Sequence, residues 1–211
     1  MADLRPRTLA RQVWWLVVLE KNLYVSLARW LVRRPDRGGP GATPYGYARM
    51  VTPMMGLWIF ASAAEVPLIH VLVPWEGIRL TLLVLGVWGL VWMIGFLASL
   101  HVYPHLVTDE GIRIRNSALV DLVVPWDVVA TAGMHDHDFP STIRTLQVVE
   151  SDEGVEAAVT VSGRVNVTLE LRAPFALATR EGERLVDRIS LWVDEPRDLV
   201  SRVRRRSVTS P

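Results

Sequence analysis

Between Thr81 and Tyr103 the chain reads TLLVLGVWGLVWMIGFLASLHVY, without one formal charge. A bilayer core is crossed by roughly 20 apolar residues in a helix, and a core helix of a water-soluble domain seldom runs so long uncharged. Gly86, Gly89 and Gly95 would weaken such a helix in water, whereas in lipid they let a neighbouring helix come close. This run is expected to be a transmembrane helix, and the rest of the chain must be arranged around it.

A second span is expected over YARMVTPMMGLWIFASAAEVPLIHVLV, Tyr47 to Val73. Pro53 and Pro67 near its ends are tolerable where neighbours or water satisfy the freed carbonyls. Glu65 costs about 2.5–3.5 kcal/mol at mid-helix, which the surrounding apolar residues outweigh. The link PWEGIR, Pro74 to Arg79, is short, so the spans form an antiparallel hairpin. Ala61, Ala63 and Ala64 are suited to packing against the glycines of the other helix. The membrane part is thus 47–104, and from Met50 to Pro104 the only formally charged residues are Glu65, Glu76 and Arg79.

Flanking cations set the orientation. Met1 to Arg49 carries nine Lys/Arg against three Asp/Glu, and the link holds only Arg79. The positive-inside rule then places both termini in the cytoplasm. Lys21 is the only lysine, an arginine bias that suggests a GC-rich bacterial genome and hence a multi-pass protein of the bacterial inner membrane. On that topology the NVT sequon at Asn166 carries no glycan. There is no cysteine, which excludes disulfides and thiolate metal sites.

Residues 1–46 read as a basic amphipathic helix and a loop. From Thr8 to Arg34, Leu9, Val13, Val17, Tyr24, Leu27 and Leu31 fall broadly on one side, and Arg7, Arg11, Asn22, Arg29 and Arg33 on the other. With Trp14, Trp15 and Trp30, this helix is expected to lie in the headgroup layer or to dock on the soluble domain. A third span would put Glu20, Lys21 and Asn22 near the bilayer centre, and the same three residues argue against a cleavable signal. RRPDRGGPGATPYG reads as a turn-rich loop.

After Pro104 the pattern changes to short alternating runs. HLVT leads into Asp109-Glu110-Gly111, a turn in which Gly111 is available for positive φ, and IRIRN returns. ALVDLVVPW follows with Pro125 at its end, where a missing N–H does little harm. DVVATAGM, TLQVVE, EAAVTV, VNVTLEL and ERLVDRISLWV supply further strands, and EPRDLVSRVRRR reads as a closing helix with Pro196 in its first turn. The soluble part is therefore 105–206, with 207–211 as a tail. It holds thirteen basic against seventeen acidic residues from His105 onward.

The stretch VTDEGIRIRNSALVDLVVPWDVV resembles the bacterial pleckstrin-homology-like domains of small membrane proteins. The likeness lies in the turn Thr108 to Gly111, the short basic strand Ile112 to Asn116, and Val124-Pro125-Trp126 running into Asp127-Val128-Val129. LWVDEPRDLVSRV is similar to that family's last strand and helix. The sequence departs from the pattern in GMHDHDFPSTIR, a longer and more polar connection. The resemblance covers His105 to about Arg206 and implies an antiparallel, partly closed barrel or sandwich with a C-terminal helix. The expected fold class is α+β: an amphipathic helix, a two-helix transmembrane hairpin, then a cytoplasmic PH-like β domain.

The chemistry is sparse. His135 and His137 in MHDHD could contribute to a metal site, but three or four converging ligands are needed and no others stand out, so a solvated polar loop is expected. His101 and His105 have the spacing of helical ligands, yet Pro104 between them breaks the helix. Glu65 and His70 are intramembrane candidates, because ionisable residues in a span are retained at an energetic cost. Either they act, or Glu65 is protonated or pairs across a homo-oligomer. Arg202, Arg204, Arg205 and Arg206 either contact anionic lipid, at about 1 kcal/mol per charge near the surface, or form a solvated tail. No phosphate-binding loop, nucleophile elbow or zincin motif occurs, so no catalytic residue, cofactor or metal is expected. A basic stripe for nucleic acid is missing from the acidic domain.

These residues suggest a non-enzymatic scaffold or regulatory adaptor. Its partners would be the lipid bilayer and an unknown membrane or cytoplasmic protein, or a second copy in a homo-oligomer. The alternative is a subunit of an oligomeric transporter or proton-linked complex using Glu65.

Overall fold

A computed structural model describes residues 6–140, 144–151, 154–179 and 182–209. The chain divides into two compact units, one made of Met1–Pro35 and Thr52–Val102, the other of Asp36–Val51 and Tyr103–Pro211.

The first unit is helical: α1 (Pro6–Leu31), α2 (Thr52–Leu72) and α3 (Glu76–Val102). Both α2 and α3 are long and apolar enough to cross a membrane. The second starts at Thr52 instead of Tyr47, with Pro53 at a first-turn position that has no N–H to lose. The third starts at Glu76 instead of Thr81, its acid in the first turn complementing the helix dipole. They run antiparallel. Thr52 Oγ1 meets His101 Nε2 at 3.3 Å, Ser62 donates to Met93 Sδ at 3.7 Å, and a Cβ on Gly86 would sit 3.2 Å from Val66 Cγ2. The seam on α2 is half-buried at Met55, Ile59, Ser62, Val66 and Ile69, a three-four spacing. Ala61, Ala63 and Ala64 are exposed and away from that seam, which corrects the expectation that they meet the glycines of α3.

The first helix packs on α3. Leu23 is buried where a Cβ on Gly95 would collide with its side chain, and Trp88 Nε1 donates to the Tyr24 hydroxyl at 3.1 Å. Tyr24 in turn donates to Glu20 Oε1 at 3.1 Å. Within this unit α1 therefore pairs with the second apolar helix. Trp88 and Gly95 each lie two residues from Gly86 and Met93, about 200° around a helix. It follows that α1 and α2 take nearly opposite sides of α3.

The second unit holds β1 (Thr43–Tyr45), β2 (His105–Val107), β3 (Gly111–Asn116), β4 (Val120–Pro125), β5 (Val129–Asp138), β6 (Leu146–Ser151), β7 (Gly154–Val159), β8 (Arg164–Thr179), β9 (Gly182–Leu191) and α4 (Pro196–Thr209). Its strands form two sheets, ordered β1-β2-β3-β4 and β5-β8-β9-β7-β6. Neither closes on itself, so the barrel implied by the resemblance is open here. All pairings are antiparallel except β7 with β9, which is parallel and departs from the expected all-antiparallel layout. Ile112, Ile114, Val124, Leu169, Ile189 and Leu191 fill one core, which Leu199 and Val203 of α4 complete.

Three local features differ from the sequence reading. The supposed loop before the hairpin contains β1, whose Thr43, Pro44 and Tyr45 pair with Val107, Leu106 and His105. Gly111 does not use a positive φ; a Cβ there would strike the Val124 carbonyl and lie 2.9 Å from Pro125 Cα, so glycine is required by the close passage of β4. The eighth strand continues through Pro174, with a register break between Glu170 and Phe175 that accommodates the proline.

Candidate functional site

Two groups of polar residues could carry function: those foreseen from the sequence, and a cluster in the β-rich unit that only the fold assembles.

That cluster centres on Arg115 of β3, which is 2% exposed. Its Nε donates to the Pro104 carbonyl at 2.7 Å, Nη1 to Asp36 Oδ2 at 3.0 Å and Nη2 to the Asp36 carbonyl at 2.9 Å. The Tyr103 ring lies 5.8 Å from its guanidinium carbon. The Arg115 backbone N–H donates to His105 Nδ1 at 3.0 Å, which leaves Nε2 to donate to the Trp192 carbonyl at 3.0 Å. Burial holds the His105 imidazole down at about 4, so it is neutral with both nitrogens occupied. Tyr47 lies 4.8 Å from this ring, and its hydroxyl accepts from Ser117 N at 2.6 Å. Burial pushes the Tyr47 phenol up, and burial with the Asp198 carboxylate raises Tyr45 to about 12. With both ring nitrogens engaged, His105 has neither left for a substrate proton or a metal. The cluster is a lock, fixing Asp36–Val51 to the sheet that follows the apolar helices. Arg49 N to Asp194 Oδ1 at 3.2 Å and Tyr45 Oη to Asp198 Oδ2 at 2.5 Å secure the same segment against the start of α4.

The VPW run has a defined role here. Trp126 is buried, its Nε1 donating to the Thr108 carbonyl at 3.0 Å, and Arg206 lies over its ring at 5.9 Å. Arg206 also donates to the Thr108 carbonyl at 3.1 Å and to Asp109 Oδ1 at 2.8 Å. Arg204 Nε donates to the Ala132 carbonyl at 2.7 Å, and Arg202 Nη1 to Thr43 Oγ1 at 3.1 Å. Arg202, Arg204 and Arg206 therefore reach acceptors of their own domain, while Arg204 and Arg205 are exposed to solvent over much of their surface. Asn166 is engaged too: its amide bonds both the carbonyl and the N–H of Val193, at 2.8 and 2.9 Å.

His135 and His137 lie on β5 and not in a loop, at a bulge between Met134 and His137. His137 Nε2 is 3.4 Å from Glu156 Oε1, and Asp136 and Asp138 both bind Arg164 at 3.1 Å. No group of three His, Asp or Glu able to hold a metal occurs among the described residues. His101 remains helical, its Nδ1 donating to the Leu97 carbonyl at 3.0 Å, whereas His105 belongs to β2. Glu65 and His70 both lie exposed on α2. Comparison with family models, curated proteins and solved structures found no match for this chain.

Proposed function

We propose that the protein is a membrane-anchored, non-enzymatic scaffold or regulatory adaptor of the bacterial inner membrane. On this reading α2 and α3 cross the bilayer as a hairpin with both termini in the cytoplasm, and the β-rich unit is a PH-like module that presents a surface to a protein partner or another copy. The observation that carries the proposal is the placement of the two apolar helices: the chain leaves a two-sheet domain at Val51 and returns to it at Tyr103. A hydrophobic hairpin inserted in this way holds a folded module at a bilayer surface. The TDEG turn, the VPW run and the closing α4 support the PH-like assignment, and the basic flank before α2 supports the orientation. Such a fold does not dictate a ligand, and the acidic balance of the domain disfavours phosphoinositide.

Reporter fusions at residues 40, 77 and 211 test the topology. Cytoplasmic activity is expected at 40 and 211 and periplasmic activity at 77; periplasmic activity at either end rejects the orientation.

A further inference from the structure

The first helix ends in a turn that its own sequence makes costly. The Arg33 N–H donates to the Trp30 carbonyl at 3.0 Å and the Arg34 N–H to the Arg29 carbonyl at 2.8 Å, the paired bonds of a Schellman motif. Such a motif sets one residue in the left-handed region, commonly glycine, and joins the next residue to the last helical turn by an apolar contact. Here Arg33 holds the left-handed position, at φ 52°, and the two contact positions are Arg34 and Arg29. A side chain is strained at that φ, and like charges are gathered around one turn.

The helix dipole draws cations to this end, and the positive-inside rule asks for them on this flank. Arginines in ordinary helical conformation meet both needs, so neither accounts for the left-handed one. Local rules are broken in this way chiefly at functional sites. The adjoining sequence supplies no counter-charge: no acid occurs from Lys21 to Pro35, and the Asp36 carboxylate bonds the buried Arg115. All three arginines are exposed, and among the described residues neither Arg33 nor Arg34 enters an ion pair. Trp30, Leu31 and Val32 between them are exposed as well, so this end of the helix is both basic and apolar.

Arg115 shows where it lies. It takes the carbonyl of Asp36, two residues beyond Arg34, and that of Pro104, two beyond the last residue of α3. The C-terminal ends of α1 and α3 are thus neighbours. On the membrane reading proposed above, which this inference requires, both stand at the cytoplasmic face of the bilayer. We infer that Arg29, Arg33 and Arg34 form a site for the phosphodiester headgroup of an anionic phospholipid, with Trp30, Leu31 and Val32 offering it apolar contact. Guanidinium forks match phosphate oxygens, and tryptophan favours the headgroup level. The lipid supplies the counter-charge that the chain omits.

Native mass spectrometry of the full chain in neutral detergent, titrated with phosphatidylglycerol or phosphatidylcholine, reads the site. Phosphatidylglycerol should bind preferentially, and Arg34→Gln should weaken it about fivefold, the share of one cation near an anionic surface. Arg33→Gly separates lipid binding from folding, because glycine suits the left-handed backbone. Its thermal midpoint should hold or rise while phosphatidylglycerol again binds about fivefold more weakly. Arg33→Gly binding this lipid as the parent does refutes the site. Displacement of the lipid by inorganic phosphate, beyond that by chloride of equal ionic strength, assigns the cluster to a soluble phosphate and overturns the lipid source. Alkaline carbonate extraction tells the two readings apart. Chains that resist carbonate but do not discriminate between the lipids refute only this site, whereas release by carbonate refutes the membrane reading and this inference with it.

Discussion

Replacing Asp36 by alanine tests the lock around Arg115. The carboxylate accepts from Nη1 of a guanidinium that is almost wholly buried, so its removal strands a positive charge that water cannot reach. Breaking a buried pair by deleting one partner costs about 3–5 kcal/mol. The Asp36 side chain is 33% exposed, and Arg115 keeps the carbonyls of Asp36 and Pro104. The lower end therefore applies, about 3 kcal/mol, or roughly a hundredfold in an opening equilibrium. Hydrogen exchange on the detergent-solubilised full chain reads this locally. The amides bonding β1 to β2 should exchange about a hundredfold faster, while those between β7 and β9 stay unchanged. Asp36→Asn keeps one acceptor oxygen and should fall between the two. Exchange in β1 and β2 within about threefold of the parent chain would refute the argument that Arg115 holds this segment in place.

Two further perturbations address other parts of the molecule. Gly95→Ala places a methyl into Leu23, an overpacking expected to cost about 1–3 kcal/mol; tryptic cleavage at Lys21 and Arg29 should accelerate, whereas Gly89→Ala, with nothing within 4 Å, should match the parent. His105 is held at about 4 in the fold against an unperturbed 6.5, so the unfolded chain binds the proton first. Stability is then complete above about pH 6.5 and declines as pH falls toward 4, by on the order of 3 kcal/mol. Denaturant midpoints measured across that window should fall in the parent and flatten in His105→Gln; equal slopes would refute the assignment.

Much of the β-rich unit was legible because its strands alternate cleanly. Ile112 and Ile114 face the core at a spacing of two, and Pro196 marks the start of α4. What escaped notice depends on contacts distant in sequence. The three residues of β1 sit among glycines and prolines that read as turns; the strand exists because Tyr45 and Tyr47 find Asp198 and Ser117. The parallel β7–β9 pair leaves no local trace, since direction is set by the order in which strands join the sheet. The run of C-terminal arginines looked free because charge alone does not show where a long side chain ends, and Arg204 and Arg206 end on backbone carbonyls. For the candidate site, Glu65 was conspicuous as a lone acid in an apolar helix. Arg115 and Asp36 were not, because 79 positions separate them.

The pairing of β1 with β2 bears on how the protein is made and divided. Two neighbouring strands of one sheet flank some fifty residues of greasy chain, so the ribosome must finish both apolar helices before the sheet can be assembled. A fragment cut at His105 would lack its edge strand, both tyrosines and Asp36. The compact unit is instead a spliced one, Asp36–Val51 joined to Tyr103 by a short turn in place of the two apolar helices.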